Sequence, residues 1–94
     1  MAVRGETEVS SYFLACMYFY EGVPCIKASI NGRDCTYTFR VKEFDAQAIE
    51  EDFNKLRQAV ELKAWIAAQK TADSFRVRAK QGCGIYTSPE YVKR

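Results

Sequence analysis

The chain has 94 residues, of which 48% are hydrophobic, 14% aromatic and 28% charged. That is the profile of one small folded soluble domain, residues 1–94, and it excludes a disordered, collagen-like or low-complexity chain. The net charge is a bland +2, and the absence of histidine excludes His-dependent catalysis and most zinc geometries.

Residues 1–6 read as a frayed terminus. From Thr7 onward, Val9, Tyr12, Phe13, Cys16, Met17 and Tyr20 recur at helical spacing and predict an N-terminal helix capped by Thr7 or Ser10. Leu14, Ala15 and Phe19 widen its apolar surface, so the helix is expected to be covered on more than one side. Gly22 suits the position just past its end, and Pro24 prevents continuation. The apolar run Tyr12 to Tyr20 has nine residues, whereas a membrane span needs about 20. Glu6 and Glu8 stand where a signal peptide would carry positive charge. The expectations are no signal peptide, no membrane segment and a cytoplasmic location.

Asn31-Gly32 separates two alternating segments and predicts a two-stranded antiparallel hairpin with a two-residue turn at that pair. The implied register pairs Ile30 with Arg33, Ala28 with Cys35 and Ile26 with Tyr37. One face then carries Ile26, Ala28, Ile30, Cys35, Tyr37, Phe39 and Val41. The other carries Lys27, Ser29, Asp34, Thr36, Thr38 and Arg40. Cys25 and Cys35 fall on opposite faces, which argues against a disulfide between them.

Asp45 reads as the N-cap of an acidic helix with the stripe Ile49, Phe53, Leu56 and Val60. The phase then changes to Trp65, Ala68, Ala72, Phe75 and Ala79, with small residues between two rings. An unbroken helix from Ala46 to Lys80 would run about 52 Å, against an expected radius of gyration of about 12 Å. A break between Asn54 and Val60 follows. Leu62, Ile66 and Val77 occupy a second apolar side of the last helix. Residues 81–94 read as a tail, with Ile85, Tyr86, Tyr91 and Val92 able to dock and Ser88-Pro89-Glu90 suited to a helical turn. The fold class is therefore α+β: helix, hairpin, broken long helix, short tail.

The four cysteines, Cys16, Cys25, Cys35 and Cys83, show no metal-binding spacing, and without a secretory signal they are expected to be reduced. Cys83, between two glycines, is the most exposed of them by this reading. Glu50, Glu51 and Asp52 are consecutive and diverge around a helix instead of converging on a metal. No phosphate loop or nucleophile elbow is present. The expectation is a non-enzyme with no cofactor and no metal.

The layout resembles a group of small phage and bacterial proteins of unknown function over roughly residues 7–76. It is carried by Ser11-Tyr12-Phe13-Leu14-Ala15, Tyr37-Thr38-Phe39 and Val60-Glu61-Leu62-Lys63-Ala64-Trp65-Ile66-Ala67-Ala68. In that group a glycine often marks the break before the last helix; here Asn54-Lys55-Leu56-Arg57 stands there. The resemblance implies a phage or mobile-element setting inside a host cell and brings no activity with it.

Charge is divided along the chain: residues 1–54 hold five cations against nine acids, and residues 55–94 hold nine against three, −4 and +6. Two functional classes fit. The first is a non-catalytic protein that binds another protein, for which blocking a host enzyme or defence complex is a natural task. The second is a nucleic-acid accessory protein using the basic half. In both, the expected partner surface is Lys70, Arg76, Arg78, Lys80 and Tyr86. Leu62, Ile66 and Val77 are the expected contacts of a homodimer or higher oligomer.

Overall fold

Thr7–Val9 does not lead into the first helix as the apolar spacing suggested; it forms a short strand, β1. Helix α1 (Tyr12–Tyr20) follows, capped by Ser11 and not by Thr7 or Ser10. Then come β2 (Cys25–Asn31), β3 (Asp34–Phe39), α2 (Glu43–Leu56), a 3-10 turn at Arg57–Ala59, α3 (Leu62–Gln81) and β4 (Ile85–Thr87). This computed structural model describes residues 5–82 and 85–87. The readings made on Cys83, Ser88-Pro89-Glu90, Tyr91 and Val92, and on the side chain of Leu56, fall outside the described residues.

Among the described residues the chain is α+β, with three α-helices and a four-stranded antiparallel sheet in the order β1-β3-β2-β4. The expected two-stranded hairpin is its centre. A lone hairpin leaves both outer edges unpaired and is marginal in water. Here β1 takes the edge of β3, with Val9 opposite Tyr37, and β4 takes the edge of β2, with Tyr86 opposite Ala28. Strands of three residues carry too little alternation to be read from sequence. Thr7 Oγ1 fastens the first of them by donating to the Val41 carbonyl at 2.8 Å.

The hairpin register differs from the expected one by two residues. Ala28 pairs with Tyr37, Ile30 with Cys35 and Asn31 with Asp34, so the two loop residues are Gly32 and Arg33. Gly32 has φ +63°, the left-handed conformation that primed hairpin turns require at their first loop position. A two-residue slip leaves every side chain on its face, so hydrophobic alternation cannot distinguish the two registers. A bulge between Cys25 and Lys27 makes a second difference. It exchanges the roles of neighbours: Cys25 is buried in the core, and Ile26 is only half-buried. Cys25 and Cys35 therefore share the covered side. They stay apart because Phe39, the partner of Cys25 on β3, lies four residues from Cys35, about 13 Å at strand rise, beyond disulfide reach. Thr38, expected on the solvated face, is 3% exposed because it sits mid-sheet between Glu8 and Lys27.

Helices α1 and α3 cover the face made by Val9, Ala28, Cys35, Tyr37 and Phe39. The expected small-residue stripe on α3 is the contact: Ala68, Ala72 and Ala79 are buried, and Trp65 and Phe75 are partly buried. Close approach at Ala72 lets the buried Tyr37 hydroxyl donate to the Ala72 carbonyl at 3.0 Å. Phe19 fills the space between, 5.4 Å from Phe75 and 5.1 Å from Phe39, centroid to centroid. Helix α1 ends in a Schellman arrangement, with Val23 N–H donating to the Tyr18 carbonyl and Gly22 N–H to that of Phe19.

The expected break falls at Arg57–Ala59 without glycine or proline. It is fixed from both sides. The Glu61 carboxylate caps α3 by accepting from Ala64 N–H at 2.9 Å, while Glu61 N–H donates to the Tyr20 hydroxyl at 3.1 Å. Helix α2 starts two residues before the proposed cap Asp45, with Lys42 at the N-cap and Glu43 and Asp45 in the first turn, where they favour the helix dipole. At the other end, a Cβ on Gly82 would lie 2.7 Å from the Ile85 carbonyl oxygen, so only glycine lets the chain turn into β4 there. No described helix is long and apolar enough to cross a membrane.

Candidate functional site

The sequence of α1, YFLACMYFY, has no polar face, and such a helix requires cover on all sides. Its middle receives that cover: Ala15, Cys16, Met17 and Tyr18 are buried. Its first turn does not. Phe13 remains 49% exposed, although its ring lies 5.5 Å from Trp65 and 6.0 Å from Phe53. Trp65 and Phe53 are themselves 5.6 Å apart, and Tyr20 closes the group at 5.9 Å from Phe53. Four rings from three helices thus meet where α1, α2 and α3 converge, and Phe13 is the member facing water.

The flank of this cluster is apolar as well. On α3, Leu62, Ile66, Gln69 and Asp73 share one stripe by helical spacing. Tyr12 lies against that stripe, donating to Asp73 Oδ1 at 2.9 Å with its oxygen also 3.4 Å from the Gln69 carbonyl. Leu62 is 69% exposed, and Ile66 and Tyr12 are also exposed. Tyr12 and Phe13 on α1, and Leu62 and Ile66 on the stripe of α3 that Tyr12 reaches, are the exposed aromatic and aliphatic groups of the α1–α3 seam. Exposed apolar groups that adjoin one another mark contact surfaces, whereas scattered ones do not.

The expected basic surface is not one surface. Arg76 Nη2 donates to the Arg33 carbonyl at the hairpin turn, at 3.4 Å. Arg78 lies on the opposite flank of α3, its guanidinium carbon 5.7 Å from the Tyr86 ring centre, and Tyr86 packs on Phe75 at 5.4 Å. Lys70 and Lys80 are exposed on the side of α3 turned away from the sheet. The structure brings Arg78 together with Tyr86 and, across one open concavity, with Lys70, while Arg76 turns to the hairpin. Of the expected oligomer contacts, Leu62 and Ile66 join the seam, while Val77 stands exposed farther along the helix. Phe13 and Tyr12 escaped the sequence reading because their apolarity placed them in the core. The one available signal was the missing polar face of α1.

Cys16, Cys25 and Cys35 are buried free thiols; burial raises all three, and Cys25 is pushed up to about 12, so none is a thiolate near neutrality. Glu50 is engaged structurally, accepting from the buried Tyr18 hydroxyl at 2.6 Å and tying α2 to α1. Among the described residues no His, Cys, Asp and Glu group is placed to hold a metal ion. No family model, no curated protein and no solved structure matches the chain.

Proposed function

We propose that this chain acts by binding another protein through the α1–α3 seam. The observation that carries the reading is Phe13: a phenylalanine packed against Trp65 and Phe53, with half its surface open to solvent. A preorganised aromatic anchor with aliphatic neighbours is the composition of an interface hot spot, because burying it costs little conformational entropy. The phage-type resemblance supplies the setting for this reading, a host protein as partner and blockade of its activity as the outcome. Nucleic-acid binding fits the seam less well, since Tyr12, Phe13, Leu62 and Ile66 carry no cation. The separated cations Arg76 and Arg78 are already engaged with the chain's own groups.

The test is capture from host lysate after nuclease treatment, comparing the wild type with Phe13→Asp and Leu62→Asp variants whose fold is verified by circular dichroism. The wild type should retain a specific protein that both variants lose. Equal capture by all three would remove the seam from the interface, and loss of the wild-type signal on nuclease treatment would move the function to nucleic acid.

A further inference from the structure

Helices α2 and α3 carry opposite charge. Between Glu43 and Leu56 there are five acids and one lysine, for −4; between Leu62 and Gln81 there are five cations and one aspartate, for +4. The two helices are consecutive and meet at Phe53 and Trp65. Even so, among the described residues the exposed acids of α2 and the cations of α3 form no ion pair with each other. Each helix also bears an apolar feature turned away from the core. On α2 it is Phe44, 80% exposed, the most exposed large hydrophobic group described. On α3 it is Val77, in an open concavity lined also by Lys70, Asp73, Ser74, Arg78 and Gln81, two cations against one acid whose carboxylate already accepts from Tyr12.

We propose that these two faces are complementary halves of a self-association surface. The acidic face of α2 in one copy lies on the basic face of α3 in a second copy, and a two-fold axis repeats the contact. Phe44 of each copy enters the α3 concavity of the other, against Val77 and beside the Lys70 ammonium, which favours an aromatic ring. Glu51 and Asp52 meet Lys63 and Lys70. The charges select a second copy over other occupants. A polyanion would satisfy α3 but be repelled by α2, and an acidic protein would leave α2 unmatched. A second copy neutralises both helices at once, and two-fold symmetry makes each contact count twice. This surface is distinct from the seam around Phe13.

Light scattering on the purified chain tests it. At about 0.01 M salt, where the Debye length is about 30 Å, the protein should be a dimer; near 1 M, where it is about 3 Å, it should be a monomer. Two charge-reversed variants are decisive. One carries Lys63→Glu, Lys70→Glu and Lys80→Glu, the other Asp45→Lys, Glu51→Lys and Asp52→Lys. Each alone should be monomeric at low salt, because its two faces now have the same sign. Mixed, they should form a one-to-one complex. Phe44→Ala should weaken the wild-type dimer by about tenfold or more without changing the melting temperature. A wild-type monomer at low salt, or no complex on mixing two folded variants, overturns the proposal. So does polyanion binding that the second variant strengthens while no complex forms.

Discussion

Phe13 and Phe53 share the same aromatic neighbour: their rings lie 5.5 and 5.6 Å from Trp65 and 6.0 Å from each other. They differ in what they leave to solvent. Phe53 is 3% exposed and fills the junction from beneath, whereas Phe13 forms its outer wall. Replacing Phe53 by Ala should therefore cost about 3–5 kcal/mol, the range for deleting a buried ring, and loosen α2. Phe13→Ala should cost about 1 kcal/mol, because half of its transfer free energy was never gained. Urea denaturation of the two variants checks the order. Equal costs would mean that Phe13 is as much a core residue as Phe53.

The Tyr37 hydroxyl is a buried polar link between the sheet and α3. Tyr37→Phe removes the donor to the Ala72 carbonyl but keeps the ring, so the expected loss is about 1 kcal/mol. Tyr37→Ala should cost about 3 kcal/mol or more. Ala72→Leu should destabilise by about 1–3 kcal/mol through overpacking, since the backbones meet there. Chemical denaturation curves with unchanged slope would confirm that the fold survives each change.

The turn register is open to direct measurement. Gly32→Ala should cost about 1 kcal/mol from the left-handed backbone alone, since a Cβ there meets nothing within 4 Å. Asn31→Ala should cost less than about 0.5 kcal/mol, because Asn31 is an exposed strand residue whose side chain reaches only Thr36. Proton contacts in solution should join Ala28 to Tyr37. Contacts joining Ile26 to Tyr37 would instead restore the turn centred on Asn31-Gly32.

Stability should fall on the alkaline side. Burial pushes the Cys25 thiol up to about 12 from an ordinary 9.0, and burial likewise raises Tyr18 and Tyr37 above their ordinary 10.0. A raised folded-state value means that the unfolded chain releases its proton first. The contribution is therefore complete below pH 9 and is lost as pH rises from there through 12. Urea midpoints at about pH 7 and about pH 10 should differ, and Cys25→Ala should reduce the difference. A midpoint independent of pH over that range would contradict the burial of these groups.

Much of this architecture can be read from residue spacing. The alanines at 68, 72 and 79 repeat at helical intervals, and the compactness of a short chain demands the break that Arg57–Ala59 provides. The hairpin's faces follow from alternation. What spacing cannot supply is anything that depends on a neighbour. Strands β1 and β4 exist because β3 and β2 offer free edges. Thr38 is buried because strands flank it on both sides. The bulge that exchanges Cys25 and Ile26 leaves no mark in the sequence. The seam follows the same rule: Tyr12 and Phe13 are legible as apolar, and Leu62 and Ile66 as a second side of α3. Their common exposure beside the α1–α3 contact depends on how α1 lies across α3. The segregation of charge is plain in the sequence, but the division of Arg76 and Arg78 between opposite flanks of α3 is not.

Site-specific photo-crosslinking tests the role of the seam most directly. A photoreactive phenylalanine analogue is placed at Phe13, at Leu62 and, for comparison, at Lys27 on the open face of the sheet. Irradiation in cell lysate should give a nuclease-resistant protein adduct from Phe13 and Leu62 and none from Lys27. Adducts confined to Lys27, or adducts at Phe13 that nuclease removes, would contradict protein binding through the seam.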